Sequence, residues 1–151
     1  MDPELKPRLR ADLTTAMKAR DELRTATLRM VLAAVSAEEV AGKEARELSD
    51  DDVQAVLRRE AKKRREAAEA FASAGRAQQA ERETAEGQVV DGYLPAQLDD
   101  ADLAALVADV ITRSGASGMK DMGRVMGAVT AQVAGRAEGG RVAAEVRRQL
   151  G

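Results

Sequence analysis

Apolar residues recur along this chain at intervals of three and four, and no convincing alternation of apolar and polar positions predicts a strand. Leu5, Leu9, Leu13, Ala16 and Met17 define a first helix, with Pro3 and Pro7 tolerable because they sit near its first turn. Asp21-Glu22 interrupts the pattern, and Leu28, Val31, Leu32, Val35 and Val40 then line a second helix that runs out near Gly42. Ser49 followed by Asp50, Asp51 and Asp52 is a start signal: a hydroxyl can cap free amides, and carboxylates favour the positive end of the helix dipole. The third helix is expected to run to about Gly75, and a fourth, weakened by Gly87, from Arg76 to about Val90. Pro95 cannot donate an amide and disfavours helix in the residue before it, so the heptad Gly92 to Leu98 reads as a linker. Asp99 then caps a helix carrying Leu103, Leu106, Val107, Val110 and Ile111, which ends at Ser114-Gly115. Two more helices are expected from Met119 to Val133 and from Gly140 to Leu150.

The pattern predicts an all-α protein: an N-terminal multi-helix domain over residues 1–92, a linker over 93–98, and a small C-terminal three-helix domain over 99–151. A chain of 151 residues can bury a real core. With Phe71 and Tyr93 as its whole aromatic content, that core must be aliphatic, and stacking of nucleobases on an aromatic platform is nearly excluded. The absence of Cys and His removes disulfides, thiolate nucleophiles, the common zinc ligands and the usual general base at neutral pH. No catalytic residue, metal or cofactor is assigned. The formal net charge of −2, with neither half strongly basic, means that any RNA binding must come from a local patch. The acidic start Met1-Asp2-Pro3-Glu4, with no long apolar run after it, predicts neither a secretory signal nor a membrane span, and a cytoplasmic location is expected.

Four segments carry a resemblance: Glu60-Ala-Lys-Lys-Arg-Arg-Glu66, Tyr93-Leu-Pro-Ala-Gln-Leu98, Gly115-Ala-Ser-Gly-Met-Lys-Asp-Met-Gly-Arg-Val-Met-Gly127 and Gly135-Arg-Ala-Glu-Gly139. Together they closely resemble the stand-alone YqeY family, over essentially the whole chain. Members of that family resemble the C-terminal part of the B subunit of the glutamine-dependent amidotransferase that converts mischarged Glu-tRNA or Asp-tRNA. There the tail is a helical, tRNA-contacting appendage, and the catalytic chemistry lives in other domains. The resemblance therefore implies a non-catalytic module that binds tRNA or associates with the amidotransferase or other translation proteins. One departure is Glu138, where the shorter Asp is expected in Gly-Arg-Ala-x-Gly.

Two surfaces are candidates for phosphate contact. On the helix from Met119, the residues Met119, Met122, Val125, Met126, Val129 and Val133 share an apolar arc, and Gly123, Gly127 and Ala131 form an adjoining strip with Lys120 and Arg124. Each interior glycine costs about 1 kcal/mol relative to Ala, which suggests that something approaches the backbone closely. Either a neighbouring helix does so, or a sugar-phosphate backbone lies across the glycine floor with Lys120 and Arg124 bonding phosphate. Met119, Met122 and Met126 are gap-filling core or a flexible groove. Gly139-Gly140-Arg141 either presents free amides to an anion or is a plain turn. Arg136 and Arg141 complete the C-terminal set. On the third helix, Lys62, Lys63 and Arg65 form a weaker basic side, either a phosphate rail or a solvated face. Glu60 and Arg64 fall in that helix's apolar sector, where they can pair along it and where partial burial or contact with the other domain is expected. The aspartates at helix starts read as caps, and Tyr93 as an interdomain anchor. Alternative functions are a helical protein–protein adaptor, whose apolar docking would be insensitive to salt, and a component of a carbon–nitrogen ligase using glutamine as amido donor.

Overall fold

A computed structural model describes residues 4–151, which form seven α-helices, a single 3-10 turn and no strand. Pro3, expected near the first helical turn, lies outside the described residues. Chain contacts divide the molecule into two compact units, Met1–Leu94 and Pro95–Gly151. No described helix is long and apolar enough to cross a membrane.

The first unit contains α1 (Leu5–Lys18), α2 (Glu22–Glu39), α3 (Asp50–Ser73) and α4 (Ala77–Asp91). Its core is the aliphatic stripe expected from the spacing: Leu5 and Leu9 of α1, Leu28, Val31 and Val35 of α2, Val53, Val56, Leu57 and Ala61 of α3, and Val90 of α4. Ser49 and Asp52 form a reciprocal capping box, each side chain bonding the other's backbone N–H, and Asp52 is held below the usual carboxylate range chiefly by the Ser49 amide and hydroxyl. Asp50 instead accepts from the Leu5 N–H at 3.0 Å and so fastens the start of α1. The second helix ends at Glu39, short of the expected Gly42, and leaves Val40 exposed just beyond it.

The fourth helix packs closely along α3, and Gly87 explains how. A Cβ placed on it would stand 3.4 Å from the Arg64 Cβ, so the residue read as a weak point in the sequence is where the two helices approach. Arg64 does not pair with Glu60. Its guanidinium crosses to α4 and meets Glu83 at 3.0 Å and Glu86 at 3.6 Å, because four residues of separation along α3 matter less than the acidic face lying opposite. Glu60 is buried and accepts from Lys63 at 3.4 Å. Arg82 bonds both oxygens of Glu22, at 2.7 and 2.9 Å, tying α4 to α2.

Helices α1 and α3 end on the same motif. Asp21 N–H reaches back to the Ala16 carbonyl and Arg20 N–H to that of Met17, as Arg76 and Gly75 reach back to Phe71 and Ala72. The left-handed residue is Gly75 (φ 74°) in one and Arg20 (φ 57°) in the other.

Tyr93 is buried in this unit and its polar contacts here fasten it to α1 and α2. Its hydroxyl donates to Asp12 and accepts from Arg24 at 3.4 Å, and the Arg8 guanidinium lies 4.9 Å from the ring centre. Burial first, then the bond to the Asp12 carboxylate, pushes the phenol up to about 12.

The second unit contains α5 (Asp100–Ser114), the 3-10 turn Met119–Asp121, α6 (Met122–Val133) and α7 (Gly139–Leu150) around a core of Leu103, Val107, Val110, Val125, Val129, Val133, Ala137, Val142 and Val146. Asp99 caps α5 by accepting from Asp102 N–H at 2.7 Å, and Gly115 ends it in the left-handed region. The Leu98 N–H bonds the Arg136 carbonyl at 2.7 Å. Of the expected linker, Tyr93 and Leu94 thus pack with the first core and Leu98 with the second.

Candidate nucleic-acid interface

In the second unit, the chain arrives at α6 through a turn stapled by Asp121. One carboxylate oxygen accepts from Ser117 N–H at 3.0 Å and the other from Arg124 at 3.0 Å. The Ser117 amide first, then Arg124, hold this carboxyl below its ordinary range, and Lys120 adds to the effect through its charge. Because residues 119–121 form a 3-10 turn, Met119 leaves the apolar arc and is 49% exposed. The expectation that it fills the core is corrected, while Met122 and Met126 pack against the valines as core residues do.

The valines of α6 face inward, which leaves Gly123 and Gly127 on the opposite side. A Cβ at either position meets nothing within 4 Å. Within this unit no other helix packs on the glycines among the described residues, so the reading of a neighbouring helix is not met there and the floor is open. Lys120 stands exposed beside it. Arg124 is held in place by the Ser114 carbonyl at 2.7 Å and by Asp121, yet its side chain remains 53% exposed.

Arg136 and Arg141 both serve the local structure. The Arg136 guanidinium donates to the carbonyls of Val133 (3.0 Å) and Gln132 (2.9 Å) at the end of α6, the Val133 carbonyl accepting from the Arg136 N–H as well. Arg141 donates to the Leu98 carbonyl and to Asp100, each at 3.0 Å. Glu138 stands at the N-cap of α7 and makes no capping bond with its side chain, so the departure at this position leaves the helix without the expected cap.

In the first unit, each predicted cation of α3 has a carboxylate nearby. Lys62 lies 3.9 Å from Glu66, Lys63 lies 3.4 Å from Glu60, and Arg65 lies 3.9 Å from Asp91. This face is mixed in charge rather than a continuous basic rail. Among the described residues no group of three or more acidic side chains is placed to hold a metal ion. The residues that sequence reasoning missed are Arg20, at the turn from α1 to α2, and Arg29, within α2. The one signal available was an arginine two residues past the end of a helix, where glycine is usual.

Comparison with curated proteins finds no match. The family model described as Yqey-like protein matches residues 6–150, nearly the whole chain, and the protein belongs to the YqeY-like family.

Proposed function

We propose that this chain is a non-catalytic module that binds structured RNA, with tRNA as its natural ligand, in association with tRNA-dependent amidation or another step of translation. The tRNA and amidotransferase connection comes from what the family resembles. The observation that carries the reading is the open backbone at Gly123 and Gly127 beside exposed Lys120 and pinned Arg124. A phosphodiester strand can lie closer to a helix that has no Cβ, and a guanidinium already fixed on one side loses little freedom when its other face meets phosphate. Recognition by shape and phosphate suits a chain with almost no aromatic side chains.

The test is a titration of the full chain against a tRNA pool and a duplex DNA control at several salt concentrations. Affinity for tRNA should fall steeply with salt, and Lys120→Glu should weaken binding and lower the salt slope by about one unit per lost contact. Gly123→Ala with Gly127→Ala separates the floor from the fold. Each change stabilises α6, by up to about 1 kcal/mol, because nothing stands in the way of the methyl group. The pair should nevertheless weaken tRNA binding. No binding at low salt, or binding indifferent to these changes, overturns the reading.

A further inference from the structure

At the corner where α1 turns into α2, Met17, Arg20, Glu22, Thr25, Ala26 and Arg29 line a groove of about 400 Å3. Arg20 stands there against the preference of its own backbone. At the equivalent position of the same motif α3 has Gly75, and a side chain at positive φ is penalised where glycine is not. Neither Arg20 nor Arg29 pairs with a carboxylate among the described residues. Glu22 does not neutralise them, since both its oxygens accept from Arg82. Met17 is 48% exposed on the wall of the groove, beside the half-buried Ala26.

We propose that this corner docks an acidic amphipathic segment of a protein partner, whose carboxylates pair with Arg20 and Arg29 and whose apolar side chains seat against Met17 and Ala26. Charge complementarity sets the sign of the occupant. Two guanidiniums without partners call for an anionic ligand and disfavour a second copy of the same surface, which would set like charges against each other. The apolar component selects protein over RNA: an unbranched thioether adapts to aliphatic side chains, which a phosphodiester strand does not offer. The inference is independent of the RNA reading, which rests on α6.

The experiment places a benzophenone amino acid at Met17 of the full chain, cross-links in cells, sequences the adduct and titrates a synthetic copy of the captured segment against the purified protein. The proposal expects a segment rich in Asp and Glu at helical spacing, with affinity that falls with salt and drops by about tenfold or more in Arg20→Gly and in Arg29→Glu. Arg20→Gly guards against a folding artefact, because glycine suits the left-handed position and the melting temperature should not fall. Lys120→Glu should leave this binding unchanged. Adducts on RNA, on a second copy, on a basic or uncharged segment or within the chain itself would overturn the proposal. So would the absence of adducts, or a captured peptide that binds Arg20→Gly as well as it binds the parent.

Discussion

In the first unit Arg46, Arg59, Arg64 and Arg82 end on carboxylates, reaching Glu38, Asp52, Glu83, Glu86 and Glu22. In the second, Arg124, Arg136 and Arg141 each donate to a main-chain carbonyl; Arg124 and Arg141 also bond Asp121 and Asp100, and among the described residues the guanidinium of Arg136 bonds carbonyls alone. The electrostatic consequences differ. A carboxylate cancels the charge it binds, whereas a carbonyl fixes the direction of a guanidinium and leaves its full positive charge in place. The Arg136 guanidinium therefore keeps its full charge, whereas Arg124 and Arg141 are oriented by a carbonyl and partly neutralised by a carboxylate. Arg20 and Arg29 of the first unit pair with no carboxylate among the described residues.

The largest effect expected from breaking this contrast comes from the cores. Leu28→Ala in the first unit should cost about 3 kcal/mol. If the units are separate folding domains, as we propose, chemical denaturation followed residue by residue should show the loss at residues before Pro95 and leave the second unit's midpoint in place. A coupled shift of both would show one cooperative molecule. Next is Tyr93→Phe, which leaves Asp12 without its donor and should cost about 1–2 kcal/mol. Tyr93 is the chain's one tyrosine, so phenolate absorbance reports it alone. Its folded-state pKa is raised above that of the unfolded chain, so the stability it contributes is complete below pH 10 and is lost as pH rises from 10 to about 12. That alkaline loss should be absent from the Phe variant.

Smaller effects sharpen the distinction between an arginine bound to carbonyls and a lysine beside a carboxylate. Arg136→Ala should destabilise the second unit by about 1 kcal/mol by removing the side-chain donors to two carbonyls at the end of α6, one of which keeps a backbone partner, whereas Lys62→Ala should change stability by less than about 0.5 kcal/mol. Protection of the amides of α6 against hydrogen exchange reads the first, and a denaturation midpoint reads the second. Smallest is an acid-side effect at Glu145, whose carboxyl is lowered to about 2 by Arg148 and then Gln149. A depressed acid contributes fully above its unfolded value near 4.5, and its contribution fades as pH falls toward 2. Arg148→Ala should flatten that limb of the second unit's pH–stability curve.

The helices and both cores were legible because an amphipathic helix writes its buried face at every third and fourth residue, and Ser49, Asp99 and Gly115 mark its ends chemically. What was not legible depended on a second element. Gly87 looks like a defect until Arg64 is seen against it, and Gly123 and Gly127 look like packing glycines, yet no other helix of their unit meets them among the described residues. The spacing puts Lys120 and Arg124 beside the glycines, but the carbonyls that hold Arg124, Arg136 and Arg141 belong to helix ends and to Leu98, whose positions only the fold fixes. Met119 was misplaced because a 3-10 turn advances the chain by a different angle from the α-helix assumed on the wheel.

The bonds on both sides of Leu98 set a boundary for anyone who wishes to cut the molecule. Its N–H goes to the Arg136 carbonyl and its own carbonyl to Arg141, so this single residue closes the stretch that holds α5 and α6 and ties it to the start of α7. A fragment begun at Pro95 keeps that clasp. One begun at Asp99 discards four residues and, with them, the fastening of its own first helix.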